Sequence, residues 1–333
     1  VKVTPSSKVV GDMALMMVAQ GLTRAEVEDP AVEVAFPDSV VDMMRGNLGQ
    51  PPGGWPAALQ AKVLKGEAPI TDRPGAHLPP VDLEAGDFAE PRLRIVTPHP
   101  SSPKNVAAVI SEIVANYADT IGDGPVGISF PAPARHGVIP FIAHLDQGWA
   151  GLHAEDYISD ALGRPVTVLN DADAAGVGEV HYGAAKGVPG VVILTTLGTG
   201  IGSAVINNGI LLPNTELGHL EIDGHDAERR AASSVKDRKN MSYKDWATKR
   251  LQRYYEVVEM LFSPDLFVVG GGVSKDHNKF FKYLNLETPM VPAKLLNRAG
   301  IIGAAWQARW RLDHPDVPEE QIVEAAKKAE DAD

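Results

Sequence analysis

The stretch Val191-Val192-Ile193-Leu194-Thr195-Thr196-Leu197-Gly198-Thr199-Gly200-Ile201-Gly202-Ser203-Ala204-Val205-Ile206 decides how this chain is to be read. Its first seven residues are each apolar or β-branched, which predicts a buried strand from Val191 to Leu197. The glycines that follow do not have the spacing of the dinucleotide fingerprint, and in that fold a helix would come next. Here Ser203 to Ile206 continues as a strand and turns at Asn207-Asn208-Gly209, so the glycines sit in a strand–turn–strand unit. Glycine lets backbone N–H groups converge on an anion with no side chain in the way. Taken alone, Gly198, Thr199, Gly200 and Gly202 fit a phosphate cradle and an ordinary tight hairpin equally well.

Outward from this unit the texture is α/β. Pro125 to Phe130, Pro165 to Leu169 and Leu266 to Val269 read as short buried strands, and Ala172 to Tyr182, Ser242 to Phe262 and Ala299 to Arg311 as helices. Alternation of the two predicts a mainly parallel sheet covered on both faces. From Val1 to about Pro80 the chain is punctuated by Pro and Gly, with short helical patterns that need another surface to bury against. After Leu312 an acidic helix is expected, ending in Glu330-Asp331-Ala332-Asp333.

Composition narrows the classes. At 333 residues the chain has room for one large or two ordinary domains, and 44% hydrophobic residues predict a packed core. The formal net charge of -12 argues against a nucleic-acid or anionic-membrane binder. With no cysteine, disulfides, thiolate catalysis and cysteine-ligated zinc are excluded together. The longest apolar run near the start, Met13 to Ala19, is too short to span a bilayer, and no signal-peptide pattern is present. The cytoplasm is the expected compartment. A homodimer is compatible with the sequence, which does not decide it.

Three further clusters carry polar chemistry. Asn170-Asp171-Ala172-Asp173 closes one strand and opens a helix. Asp173 is the expected helix cap, while Asp171 stands at the carboxyl end of a parallel strand, where α/β folds place ligands. A carboxylate there can accept a proton from a sugar hydroxyl as that oxygen attacks phosphorus. Glu216-Leu217-Gly218-His219-Leu220-Glu221 lacks the zinc pattern of two histidines flanking a glutamate, so no metal is expected on it. It reads as a solvated loop or as a hydrogen-bonding site for vicinal hydroxyls. Val268-Val269-Gly270-Gly271-Gly272 is a strand running into three glycines, open to a nucleotide or to a plain strand-to-helix turn.

The order of these features resembles the ROK family of sugar kinases and repressors, α/β proteins with the actin-like ATPase (ribonuclease H-like) fold. The wording of Leu169-Asn170-Asp171-Ala172-Asp173-Ala174-Ala175-Gly176, Pro213-Asn214-Thr215-Glu216-Leu217-Gly218-His219 and Arg230-Ala231-Ala232-Ser233-Ser234-Val235-Lys236 is similar to actinobacterial polyphosphate glucokinases. The resemblance runs from about Val81 to Ala308. It implies phosphoryl transfer from polyphosphate or ATP to the 6-hydroxyl of glucose, assisted by Mg2+. Asp171 would be the base. Asn170, Glu216 and His219, with Glu228 or Glu221, would hold the sugar. Gly198, Thr199, Gly200 and Gly202 would hold phosphate, and Gly270, Gly271 and Gly272 the nucleotide.

Two departures stand out. His144 occupies the place of an expected sugar-binding asparagine. Such kinases also open with an Asp-x-Gly-Gly-Thr strand and hairpin, and nothing before Val81 matches it. That part instead resembles the late carboxyltransferase region of pyruvate carboxylase, in Lys2 to Asp12, Gly49 to Pro56 and Arg73-Pro74-Gly75. Thr4 would correspond to that family's active-site threonine, but its barrel, metal ligands and lysine have no counterpart. The expected organisation is therefore a carboxyltransferase-like segment at 1–80 and an incomplete first kinase lobe at 81–145. A second lobe with the sugar and phosphate motifs follows at 146–311, then an acidic tail at 312–333. The rival readings are a sugar-binding protein without turnover and a pyruvate carboxylase fragment joined to a kinase fragment.

Overall fold

The computed structural model describes residues 75–77, 79–142 and 145–315. The expected helical extension before them, the tail after them and His144 lie outside the described residues. Contacts divide the chain into two compact units, Val1–Gly75 and Ala76–Asp333, and every element named below belongs to the second.

Strands β1 (Val81–Asp82) and β2 (Asp87–Phe88) form an antiparallel hairpin. Helix α1 (Pro103–Asn116) starts where Ser102 Oγ accepts the Asn105 N–H and Pro103 supplies a first-turn residue with no N–H to satisfy. Strand β3 (Val126–Phe130) follows, then α2 (Ala154–Leu162), which Gly163 ends in a left-handed conformation. Strand β4 (Val166–Asn170) returns parallel to β3, Phe130 lying level with Asn170. Ile110, Val126, Ile128, Phe130, Trp149 and Ile158 close a core over this pair.

Helix α3 (Asp171–Tyr182) leads to β5 (Val191–Leu197), β6 (Ile201–Asn207) and β7 (Ile210–Leu212). A small hairpin, β8 (Glu221–Ile222) with β9 (His225–Asp226), precedes the short helices α4 (Glu228–Ala231) and α5 (Ser233–Arg238). The turn Tyr243–Trp246 and a π-helical turn, Ala247–Leu251, run into α6 (Gln252–Phe262). Strands β10 (Leu266–Gly270) and β11 (Met290–Pro292) and helix α7 (Ala299–Asp313) complete the order.

The five-stranded sheet has the order β11-β10-β5-β6-β7. It is mixed where a mainly parallel sheet was expected: β11, β10 and β5 are parallel, but the glycine turn sends β6 back antiparallel, and β7 follows antiparallel again. Val191–Leu197 is apolar on both faces because both are covered. Ile193 and Leu197 join Trp246, Tyr254, Tyr255 and Phe267 on one side, while Val192 and Leu194 meet Val180 and Ala204 on the other. Each large apolar side chain buried this way stabilises the fold by roughly 1.5–3 kcal/mol.

Helix α7 packs on α3 and on the β3–β4 pair. Its backbone lies so close to α3 that a Cβ at Gly303 would collide with the Ala174 carbonyl, and one at Gly178 with the Ala299 carbonyl. Glu179 on α3, fully buried, accepts backbone N–H groups from Ala184, Lys294 and Leu295, which fixes the turn that launches α7. At the far end Arg311 pairs with Glu155 of α2 at 2.8 Å. Among the described residues, no helix is long and apolar enough to cross a membrane.

Candidate active site

Asp171 is the first residue of α3, at the carboxyl end of β4, and its side chain is exposed. Protein on most sides still strips part of its water, which raises its carboxyl above the usual range against the lowering pull of the Ala172 N–H. The helix cap is Asn170, not Asp173: Asn170 Oδ1 accepts from the N–H of Ala172 at 2.8 Å and of Asp173 at 3.4 Å. Asp173 is unavailable for capping because it is turned inward, 1% exposed, with Oδ2 accepting the Asn214 N–H at 2.7 Å. Asn170, expected on the sugar, thus uses its carboxamide oxygen locally and keeps its NH2 group.

The glycine hairpin packs on this first turn of α3, with Gly202 pressed against Ala172 and Thr196. Gly198 N–H is engaged by the Gly200 carbonyl and Ile201 N–H by Glu228 Oε2 at 3.1 Å. The N–H groups of Thr199 and Gly200, at the tip, take no part in these bonds. Ser233 Oγ donates to the Gly198 carbonyl and Ser234 Oγ to that of Thr199, which turns the carbonyls away and locks the tip. Gly271, at φ +80°, follows β10 and abuts Leu197, where a Cβ would collide with its backbone. This glycine is required by packing against the hairpin. Gly270 is buried at the strand end, and Gly272 faces open space.

Glu216 and His219 belong to the segment that follows β7. Ser203 Oγ donates to the Thr215 carbonyl and accepts the Leu217 N–H, so Glu216 is held between two fixed backbone groups. Glu216 is half-buried, and burial raises its carboxyl; His219 lowers it while Asp171 and Glu228 raise it further. Those charges place the four side chains in one electrostatic neighbourhood. Of the two candidate carboxylates, Glu228 lies against Gly200 and the hairpin, whereas Glu221 is exposed in β8. His219 Nδ1 lies 3.0 Å from Asp226 Oδ2.

Three contributors act through contacts that the sequence does not signal. Asn214, at φ +60°, pins the segment: its Oδ1 accepts the Ala134 N–H and its Nδ2 donates to the Ala134 carbonyl. Asp173 receives its backbone N–H, and Asp226 holds His219. Their contacts join residues 80, 41 and 7 positions apart, and no local spacing rule reports them.

Asp173 also sets a pH response. Burial, partly offset by the Asn214 N–H, then the charges of Glu216 and Asp171, push its carboxyl from 3.8 to about 7. The unfolded chain ionises this group near 3.8, the folded chain only near 7. In between, unfolding releases a proton, so stability falls as pH rises through that window, and the loss is complete above it. Asp173→Asn keeps an oxygen for the Asn214 N–H and removes the charge. It is expected to leave thermal stability unchanged near pH 4 and to raise it at pH 8, by up to about 4 kcal/mol. Equal melting curves for the two proteins at pH 8 would refute this.

Among the described residues, no group of three carboxylates is drawn together to hold magnesium. Among the described residues one group of three, His219, Asp226 and Glu228, has ligand atoms within 4.8 Å of one another. It offers an imidazole to an ion that prefers oxygen, and Glu228 and the His219–Asp226 pair are already hydrogen-bonded to protein.

Residues 85–240 match the ROK family, and residues 1–90 match the conserved carboxylase domain. The polyphosphate glucokinase of Mycobacterium tuberculosis is 48% identical over 226 residues, 68% of this chain and 84% of that protein. The pyruvate carboxylase of Bacillus subtilis is 59% identical over 85 residues, 26% of this chain but only 7% of that enzyme. Among solved structures, the inorganic polyphosphate/ATP-glucomannokinase of an Arthrobacter species is 46% identical, with a TM-score of 0.63 over 69% of this chain and 92% of the other.

Proposed function

The chain belongs to the ROK family, with the actin-like ATPase fold of its sugar kinases, and from that premise we propose that it is a glucokinase-like phosphotransferase. The reaction moves a phosphoryl group from polyphosphate or ATP to the 6-hydroxyl of glucose. One observation carries this reading: Asp171 at a strand end and the His219 and Glu228 side chains all act on Glu216, and Gly202 of the glycine hairpin packs on the first turn of the helix that Asp171 opens. Asp171 takes the proton of the 6-hydroxyl as that oxygen bonds to phosphorus. The bond from phosphorus to the donor's bridging oxygen breaks, and ADP or a polyphosphate shorter by one unit leaves. The Thr199 and Gly200 N–H groups meet the phosphate oxygens, and Gly270 to Gly272 border the nucleotide. A magnesium ion would be held by the phosphates of the donor, where it would neutralise their charge. Both donors are cytoplasmic compounds, which makes the cytoplasm the proposed compartment.

The sugar half can be tested without turnover. His219→Ala is expected to weaken glucose binding about tenfold, the scale of one lost hydrogen bond. Metal analysis of the purified protein is expected to find no stoichiometric zinc. Tightly bound zinc that disappears in the His219 variant would overturn the sugar role.

A second reading, a sugar binder without turnover, is favoured by one fact: the ROK match starts at residue 85, directly behind a stretch matching another family. Glucose binding with no glucose 6-phosphate formed from either donor would select it.

A further inference from the structure

His219 closes a 3-10 turn, Leu217–His219, that is pressed onto β6: a Cβ at Gly218 would collide with the Ile201 carbonyl. Seven residues on, Asp226 sits on β9, where the Glu221–Asp226 register and the bond from Ala227 N–H to the Leu220 carbonyl at 2.9 Å fix its backbone. Two anchored backbones thus bring His219 Nδ1 and Asp226 Oδ2 to 3.0 Å. A carboxylate can only accept, so the ring must carry a proton on Nδ1, which is the opposite of the tautomer free histidine prefers. Nε2 is then the ring nitrogen left for an external group, on a side chain that is 55% exposed.

We propose that Asp226 is a positioning residue of this site, holding the His219 imidazole by Nδ1–H so that Nε2 meets a sugar hydroxyl. The sugar half of this statement rests on the glucose reading above; the hold on the ring does not. The groups facing the ring are Asp226, Glu216 and Glu228. The hydrogen bond to Asp226 is the largest influence raising the His219 pKa, against partial burial. Asp226 answers in the other direction: burial pushes its carboxyl up, but the bond and charge of His219, with Arg229, bring it below the usual range. With carboxylates on either side able only to accept hydrogen bonds, a ring fixed by its other nitrogen gives the site a nitrogen of set direction.

The full-length chain with 15N-labelled histidine tests this by NMR, beside glucose titration calorimetry. In the parent protein His219 is expected in the Nδ1–H tautomer when neutral. In Asp226→Ala its titration midpoint falls, the Nε2–H tautomer takes over, and glucose Kd rises about tenfold. Asp226→Asn, whose amide oxygen still accepts from Nδ1–H, lowers the midpoint but keeps the tautomer and recovers most of the glucose affinity. A merely structural role would move neither tautomer nor midpoint and would not be rescued by Asn. An unchanged midpoint and tautomer in Asp226→Ala overturns the proposal, and if that variant fails to fold, an unchanged midpoint in Asp226→Asn does so. A switched tautomer with unaltered glucose affinity overturns the positioning role if His219→Ala weakens glucose. If His219→Ala leaves glucose untouched as well, it is the glucose reading that falls.

Discussion

Replacing Asp171 by Asn is expected to lower glucose phosphorylation roughly 100-fold or more while leaving glucose affinity within about twofold, the usual signature of a lost general base. The substitution is conservative where structure is concerned. Asp171 makes no side-chain contact that closes the core, and the helix it opens is capped by Asn170. What Asn cannot do is take the proton of the attacking hydroxyl. The raised pKa of Asp171 adds a second readout. A carboxyl that ionises above the usual range is a stronger base when ionised, but it is fully ionised only at higher pH. The acidic limb of kcat/KM against pH is therefore expected above the position of an ordinary aspartate and should vanish in the Asn variant. If the parent turns over too slowly to measure, the same pair is compared in the chain with restored opening strands described below. Activity surviving undiminished in the Asn variant removes Asp171 from the role.

How much of this could be read from residues alone follows the range of the interactions. The hairpin was legible because an apolar run, three glycines and a second short run are neighbours in sequence, and turn chemistry is local. Asp171 was legible because a strand end meeting a helix start is a place that can be counted along the chain. Asp173 was misread for a matching reason: by local rules an Asp in the first turn of a helix is a cap. Its inward turn is set by Asn214, 41 residues away, which needs a partner for its N–H. The mixed sheet followed from the hairpin, but the general alternation of strands and helices pointed to a parallel one. Nothing in the sequence announced that α7 would cross onto β3, where a Cβ at Gly127 would collide with the Ala304 carbonyl. The change of family was legible as wording, and the matches to residues 1–90 and 85–240 put the handover a few residues beyond Val81.

That handover has a structural counterpart in β3. Among the described residues β3 pairs with β4 alone, as a two-stranded sheet. The Val126 N–H points to the Pro165 carbonyl on the β4 side, so the alternating pattern of a strand aims the backbone groups of Gly127 and Ser129 at the open side. Beside Val126 and Gly127 lies a cavity of about 470 Å³ lined by Val81, Leu83, Val114, Tyr117 and Ile301. An open edge next to an apolar hollow is an arrangement that another strand would complete, and two-stranded sheets are marginal without one. By resemblance, a ROK kinase opens with an Asp-x-Gly-Gly-Thr strand and hairpin, and the matched stretch covers 84% of the Mycobacterium tuberculosis relative. Replacing residues 1–80 by a two-strand opening of that type is expected to raise the melting temperature by roughly 5 °C or more, as a few regained backbone bonds and a filled hollow would give. Glucose phosphorylation is expected to rise by roughly 100-fold or more, because the added hairpin supplies donors aimed at the transferred phosphoryl group, and losing one such donor costs about that much. A strand that only stabilises would raise the melting temperature and leave turnover where it was. The idea fails if the chain as it stands already phosphorylates glucose at roughly 1–100 per second, the ordinary range for kinases. Some other segment would then be closing the edge of β3 and holding the phosphate.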